Sequence, residues 1–242
     1  MVTKDTILRQ LSKTGNSIAD KFDEIYKSEI DVLAQEMAIS YELLLKMINE
    51  KSEELSNNDF QSALLYWTAL NSILSAIDLL RRGYTKEPQM IMRNVLEILA
   101  VAYGFHENPN RYQNFMANPK KFGATRSITI IKKVHPIIGQ WYGMLSDFTH
   151  VSSLHILPHK ADYGLCVGGI FDPEDQHIMN INLMSIIGTL DVLNSVLELT
   201  FLPYISTPRF WKETEPDTYT YHPNKQRVKL VMGSMGRSIN SL

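Results

Sequence analysis

The stretch from Met90 to Phe105 constrains the fold more than any other part of this chain, because it is apolar on almost every side of a helical projection. A helix with one apolar face can lie at a surface, whereas a helix that is apolar nearly all round must be enclosed by other elements. Thr85 and Pro88 suit the first turn of such a helix. The sequence therefore predicts a central helix with further helices packed around it.

Four other segments repeat apolar residues at steps of three and four, which is the period of an amphipathic helix. The second of these segments follows Asn57, Asn58 and Asp59, which suit a helix N-cap, and Gly83 suits its end. The run 172–175 gives the last segment a cap, a proline and acidic side chains at its start. We expect long helices over about 18–48, 60–83, 136–150 and 172–202.

Two regions depart from this helical period. Between Ser152 and Phe171, prolines and glycines separate short apolar runs, which predicts a loop with a small β-hairpin. In the tail, Thr218–Tyr221 and Arg227–Met232 flank the turn residues His222-Pro223-Asn224. This arrangement predicts a second hairpin.

These patterns together predict an all-α fold, an up-and-down helical bundle of five to seven helices with one or two small β-hairpins. A chain of 242 residues with 44% hydrophobic and 21% charged residues has the size and composition of one globular domain. We expect residues 1–203 to form the bundle domain, with a hairpin or loop insertion at about 152–171. Residues 204–242 are expected to form a C-terminal extension that packs on the body or on a neighbour.

Charge and composition argue against several locations and partners. A formal net charge of −2 gives no global positive field for nucleic acid or anionic membranes, so any such binding must be local. The single cysteine, Cys166, cannot form an internal disulfide. Charged residues interrupt the N-terminal apolar pattern, and polar residues interrupt the apolar segment 178–202. The sequence thus predicts a cytoplasmic protein without a membrane anchor.

The last predicted helix carries a seam of residues at alternating steps of three and four, with small residues at its centre. Small residues let another backbone approach closely, and this favours a homo-oligomer that assembles through the seam or through the tail. The seam consists of Ile178, Ile181, Ser185, Gly188, Val192, Ser195 and Leu199.

Polar side chains occur where the pattern is otherwise apolar. Arg93 and Glu97 lie one helical turn apart within the predicted central helix. Burying them unpaired would be costly, so we expect them to pair with each other or with another helix. Tyr142, Ser146 and His150 follow at four-residue steps on the helix that starts at Pro136, and they offer hydroxyls and an imidazole.

The segments RRGYTKEPQMIMRNVLEILA and WYGMLSDFTHVS, some fifty residues apart, carry a resemblance. The chain resembles all-helical bacterial and phage proteins of unassigned function that are grouped with HEPN-like folds. That set is marked by an Arg and a Glu one turn apart on a central helix, then a later Leu-Ser and a His. The resemblance covers roughly 60–153. It places Arg93, Glu97, Ser146 and His150 in the candidate catalytic positions.

Many HEPN-like proteins resemble ribonucleases of toxin and antiviral systems, whose motif is an Arg with a His four to six residues later on one helix. The resemblance therefore implies a conflict or defence system in which the protein binds RNA or a partner protein. This chain lacks the ribonuclease spacing. Its nearest candidate is Arg126 with His135, which have eight residues between them and are followed by Pro136.

Two interpretations of the four candidate residues remain open at this point. In the first, they line a cleft in which His150 acts as acid or base and Arg93 holds a phosphate or carboxylate. In the second, they form a buried polar network that fixes the register of two helices, since structural ion pairs resemble active sites in composition.

A metal site is a further alternative, because imidazole and carboxylate groups suit zinc, iron or manganese. His150, His155 and His159, with Asp147 and Asp162 nearby, are the candidate ligands, but they lack the H-E-x-x-H spacing. The sequence also has no serine-hydrolase elbow and no phosphate loop. We therefore predict no cofactor and leave open whether the chain is an enzyme.

The leading functional hypothesis is an HEPN-like helical protein of a bacterial or phage conflict system that binds RNA or a partner protein, with nuclease activity as an option. The alternative is a non-catalytic oligomeric scaffold or interaction subunit. The second alternative is a metal-dependent hydrolase.

Overall fold

The computed structural model describes residues 3–108, 110–119, 124–149, 176–216 and 218–221. Nine α-helical segments lie within these described residues, together with π-helical turns at Gln10–Thr14 and Lys46–Glu50, a 3-10 turn at Leu202–Tyr204 and one β-hairpin. The elements in chain order are α1 (Lys4–Arg9), α2 (Gly15–Ile25), α3 (Lys27–Leu45), α4 (Asn57–Arg81), α5 (Glu87–Glu107), α6 (Arg111–Ala117), α7 (Ala124–Ile131), α8 (Ile137–Thr149), α9 (Gln176–Thr200), β1 (Trp211–Glu215) and β2 (Thr218–Tyr221). The predicted all-α bundle with a small β-hairpin is confirmed.

Helix α5 is the centre of the bundle, as its apolar sequence predicts. It contacts α4, α7, α8 and α9. Met92, Val95, Leu96 and Leu99 on α5 are fully buried. Because its neighbours hold α5 in place, the polar side chains that α5 carries toward the edge of the bundle are held in place as well.

The ends of α4 are set by local backbone chemistry. Ser56 is the N-cap, because its Oγ accepts from the Asp59 backbone N–H at 3.1 Å. At the other end Gly83 adopts a φ of 83°, and its N–H and that of Tyr84 donate back to Leu80 and Leu79. The predicted stop at Gly83 is confirmed, whereas the cap lies one residue before the predicted Asn57.

The helix predicted over 18–48 is divided at Tyr26. Helix α2 ends at Ile25 and α3 begins at Lys27, because Tyr26 leaves the helical region with a φ of −108° and a ψ of 25°. The hydrogen-bond ladder nevertheless continues on both sides, from Tyr26 N–H to Phe22 and from Ile30 N–H to Tyr26. The apolar period therefore passes through the break unchanged, and periodicity alone does not reveal it.

Helix α9 is enclosed by its own chain. The segments Asn57–Arg81 and Ile178–Thr200 are both long and apolar enough to cross a membrane by length and composition, but 83% of the apolar window in the second is buried inside the protein. Such burial is typical of a core helix. Where this protein resides in the cell stays a prediction.

Polar side chains on α9 are paired with partners from several other elements. Asn182 and Ser185 bind the two ends of the Gln89 amide, at 2.9 and 2.7 Å. Other polar side chains of α9 also pair with a side chain of another element. The further pairs are Thr189 with Trp141, Asn194 with Ser40, Ser195 with His135 and Thr200 with Tyr66.

The centre of the small-residue seam of α9 is covered by residues of the same chain. Ser185, Val192 and Ser195 are fully buried. Gly188 faces Trp141, whose ring would lie only 2.9 Å from a Cβ built on the glycine. An indole of α8 thus occupies the space that the glycine leaves. Assembly of a homo-oligomer through the seam or the tail stays a prediction.

The hairpin forms between β1 and β2, with Trp211 opposite Tyr221. The predicted strand 218–221 is thus present, but its partner is the segment before it. The predicted partner 227–232 and the predicted hairpin insertion at about 152–171 lie outside the described residues. The hairpin packs on α9, where Trp211 Nε1 donates to the Ser195 carbonyl at 2.7 Å.

We expect Gly188→Ala and Gly143→Ala to change stability in opposite directions. Both glycines lie within helices, where alanine is favoured by about 1 kcal/mol. A Cβ at Gly143 meets nothing within 4 Å, whereas one at Gly188 collides with the fully buried Trp141. Gly143→Ala should raise the urea midpoint, and Gly188→Ala should lower it by an amount equivalent to roughly 1–3 kcal/mol. Equal gains in both variants would contradict the proximity of Gly188 to Trp141.

His135 should make the fold sensitive to acid. Burial lowers the pKa of His135 to about 4, and its Nε2 lies 2.9 Å from Ser195 Oγ. An unfolded histidine titrates near 6.5, so between these two values only the unfolded chain binds the proton. Stability from this group is fully present above pH 6.5 and decreases as the pH falls toward 4, by about 3 kcal/mol in all.

The measurement is the free energy of unfolding at several pH values for the wild type and His135→Gln, in which the amide replaces Nε2 as a polar group. The wild type should lose more stability than the variant between pH 7 and pH 4.5. Parallel losses in the two proteins would show that His135 does not titrate differently in the folded and unfolded chains.

Candidate functional site

The candidate site is a three-residue polar cluster between α5 and α8. Arg93 and Glu97, one turn apart on α5, are joined by an ion pair with Nε 3.4 Å from Oε1. Tyr142 on α8 connects them, because its hydroxyl donates to Glu97 Oε1 at 2.9 Å and accepts from Arg93 Nη2 at 3.1 Å. The expected pairing of Arg93 with Glu97 and with another helix is confirmed.

The Arg93 guanidinium also lies against the Tyr142 ring, with its central carbon 5.2 Å from the ring centroid. A cation so placed is attracted by the ring quadrupole, which adds to the hydrogen bond with the hydroxyl. The same phenol therefore orients Arg93 in two ways. A planar guanidinium held against a ring is a defined surface for a planar or tetrahedral anion.

This cluster is partly open to solvent. The Arg93 and Glu97 side chains are 28% and 27% exposed. The ion pair thus lies at the margin of the bundle, where solvent screening keeps a pair of this kind to about 1 kcal/mol or less. It is neither a sealed core network nor a strongly stabilising one, so a ligand can compete for its members at small cost.

Ser146 lies one turn beyond Tyr142 on α8. Its hydroxyl donates to the Tyr142 carbonyl of the same helix at 2.7 Å. A serine hydroxyl has one hydrogen, and a nucleophilic serine must direct that hydrogen toward a base. This bond is a local contact within α8, and a catalytic role for Ser146 stays a prediction.

His150, the fourth candidate, lies outside the described residues, as do His155, His159 and Asp162. Helix α8 is described up to Thr149, one residue before His150. The approach of His150 to Arg93 therefore stays a prediction. Asp147 is exposed on α8, and within the described ranges no three His, Cys, Asp or Glu side chains are grouped as metal ligands would be.

The nearest match to the ribonuclease spacing does not form a site. Arg126 on α7 is exposed to solvent, whereas His135 is buried between α9 and the hairpin. The His135 ring packs against Trp211 and Tyr221, with centroid distances of 6.1 and 4.7 Å. Because burial also keeps its pKa low, His135 is neutral near pH 7 and serves as a packing residue.

The sequence pattern places Tyr142 on the same helix face as Ser146, one turn earlier, and the structure adds Tyr142 to the candidate site. The sequence pattern does not reveal a second polar cluster, in which His106 Nδ1 lies 2.7 Å from Asp59 Oδ1. Beside it Tyr103 donates to Glu107, and burial together with that bond raises the pKa of the Tyr103 phenol.

Comparison with protein-family models, with curated proteins and with solved structures yields no significant match to this chain. The candidate site is therefore defined by its own geometry, as an accessible arginine that a tyrosine and a glutamate hold at the junction of α5 and α8.

Proposed function

We propose that this chain is an HEPN-like helical protein of a bacterial or phage conflict system, and that it binds RNA through Arg93 and Tyr142. The observation that carries the proposal is the partly exposed guanidinium held over the Tyr142 ring. Arginine binds phosphate oxygens through paired N–H donors, and the Tyr142 ring and hydroxyl orient the guanidinium for this contact. The cytoplasm and its RNA are the setting that this proposal requires.

Glu97 acts as the internal competitor for the RNA phosphate. Its carboxylate accepts from Tyr142 and pairs with Arg93, as a phosphate oxygen would. An incoming phosphate must displace or reorient this carboxylate. We therefore expect a low affinity for RNA that depends strongly on the charge at position 97. The net charge of −2 adds no general attraction. Arg93 is the one cation that the proposal assigns to a phosphate, so we expect a shallow salt dependence.

RNA cleavage is the optional part of the proposal and is assigned to His150. Ser146 donates to its own helix, and His135 is buried, so neither supplies a base beside Arg93. A general base must come within hydrogen-bond reach of the proton that it removes. The proposal therefore assigns the base of the catalytic step to His150, and it assigns binding to Arg93 and Tyr142.

We expect Arg93→Ala to weaken binding of a fluorescent single-stranded RNA by about tenfold or more, because it removes a charge-assisted contact of roughly 1.5–3 kcal/mol. Glu97→Gln should strengthen binding, because it removes the competing negative charge and keeps the side-chain shape. Arg82→Ala is the matched control, since Arg82 is similarly exposed and pairs with Asp78 on α4. Fluorescence anisotropy at low and at physiological salt measures all four proteins.

Opposite signs for Arg93→Ala and Glu97→Gln would support the site, and circular dichroism checks that each variant is folded. Equal RNA affinities in the wild type, Arg93→Ala and Arg82→Ala would contradict an RNA site at Arg93. The same RNA recovered after incubation separates binding from cleavage. Loss of cleavage in His150→Ala with binding retained would assign the catalytic step, and intact RNA throughout would leave a binding protein only.

A non-catalytic oligomeric subunit is the second candidate, and the N-terminal helix favours it. Helix α1 has no buried residue. Ile7 and Leu8 on α1 and Leu11 on the π-helical turn that follows are 46%, 49% and 64% exposed. Leu11 follows Leu8 by three residues and Ile7 by four, which are the spacings of neighbours on a helical surface. A short helix gains little stability without tertiary packing, so a partner that covers this face would stabilise it.

Light scattering after size exclusion tests this candidate. Leu8→Glu/Leu11→Glu should convert an oligomer into a monomer, whereas Leu74→Glu should not, although Leu74 is 55% exposed on α4. A wild-type monomer at all concentrations would eliminate assembly through α1. The metal-dependent hydrolase gains no support from the described residues, and its candidate ligands His150, His155 and His159 lie outside them.

A further inference from the structure

A cavity of about 190 Å³ lies between α3, the C-terminal half of α9 and the segment that leads to the hairpin. It is separate from the site at Arg93. Its wall is mainly apolar, with two charged side chains at the hairpin end. The lining residues are Ile39, Ser40, Leu43, Asn194, Leu197, Glu198, Ile205, Thr207 and Arg209.

Glu198 contributes a buried carboxylate to this cavity. The residue is only 4% exposed. Its Oε1 accepts from the backbone N–H groups of Phe210 and Trp211 at 2.6 and 3.2 Å, and these donors stabilise the negative charge. Its Oε2 accepts no hydrogen bond in the part of the chain that the structure describes. Because Glu198 lines the cavity, a buried carboxylate with an unused acceptor at this position favours a cationic ligand group.

Arg209 contributes the opposite charge. Its Nη1 donates to Glu36 at 3.1 Å, and its guanidinium lies over the Phe210 ring with 5.1 Å between the central carbon and the centroid. Within the described residues this is the one hydrogen bond that the guanidinium makes, so further N–H donors are available at the cavity. The pairing with Phe210 fixes Arg209 next to the segment that Glu198 binds.

The apolar part of the cavity indicates the size and the apolar character of a ligand. Leu197 is fully buried, and Leu43 and Ile205 pack against the core beside it. A cavity of roughly 150 Å³ holds a benzene molecule, so 190 Å³ suits a body of about this size with small polar groups. The complementary molecule has an ammonium group, a carboxylate and a short branched or aromatic apolar chain.

We propose that this cavity binds an apolar α-amino acid of about the size of leucine. The ammonium group donates to Glu198 Oε2, the carboxylate accepts from Arg209, and the side chain packs on Leu43, Leu197 and Ile205. Binding connects α3, α9 and the hairpin segment, so the ligand stabilises the docking of the hairpin on the bundle. The proposal is independent of RNA binding at Arg93.

Titration calorimetry and ligand-observed NMR test the proposal with L-leucine and two truncated probes. 4-Methylpentanoate is leucine without the ammonium group, and 3-methylbutylamine is leucine without the carboxylate. For a ligand of this size we expect a Kd for leucine on the order of 0.1 mM, with each truncated probe at least tenfold weaker. Absence of leucine binding up to 10 mM, about a hundred times that value, would overturn the proposal.

Two charge variants distinguish the proposed contacts. Glu198→Gln keeps an oxygen for the Phe210 and Trp211 N–H groups, so it should fold. It should lose affinity for leucine and 3-methylbutylamine and retain its affinity for 4-methylpentanoate. Arg209→Met keeps the apolar stem and should show the reverse preference between the two truncated probes. Equal losses for all three probes in both variants would overturn the assignment of the charged contacts.

A cavity-filling variant tests the location. Leu43→Trp should abolish leucine binding, whereas Leu74→Trp places the same indole on an exposed position of α4 and should leave it unchanged. Circular dichroism confirms that both variants fold. Retention of leucine binding in a folded Leu43→Trp variant would place the ligand elsewhere and contradict the proposal. RNA binding by these variants should match the wild type.

Discussion

The pairing of the polar side chains on α9 is the constraint on which the rest of the structure depends. A helix with Asn182, Ser185, Thr189 and Asn194 on buried faces is stable only when each polar group finds a partner, because an unpaired buried donor or acceptor costs roughly 1–3 kcal/mol. The partners come from α3, α4, α5, α8 and the turn before α8. Each pair forms in only one register, so α9 determines where these elements lie along its axis.

The geometry of the candidate site depends on this pairing of the polar side chains on α9. Gln89 binds Asn182 and Ser185, which positions the first turn of α5, and Trp141 binds Thr189, which positions α8. Arg93 lies one turn beyond Gln89, and Tyr142 follows Trp141 directly. Arg93 and Tyr142 thus come together because Gln89 and Trp141, which lie near them on the same helices, make contacts in the core. The exposed cluster needs little stability of its own, because helix packing supplies its preorganisation.

Much of the fold could be predicted because its signals are local. The near-continuous apolar run made α5 central, and the backbone freedom of Gly83 placed the end of α4. The seam on α9 illustrates the limit of such reasoning. Periodicity identifies which residues share a face, but what covers that face depends on distant chain, in this case Trp141. The same limit applies to Tyr142, because its pairing with Glu97 crosses between helices.

The hairpin shows how a weak local element becomes part of the bundle. A two-stranded hairpin is at best marginally stable by itself, so β1 and β2 depend on what they contact. Glu198 accepts from two successive backbone N–H groups at the start of β1, and Trp211 fills the space against His135 and donates to Ser195. Acid opposes this docking through His135, whereas an amino acid bridging Glu198 and Arg209 would favour it. Both effects would act on the same contact between α9 and the hairpin, because His135 and Glu198 each connect α9 with the hairpin segment.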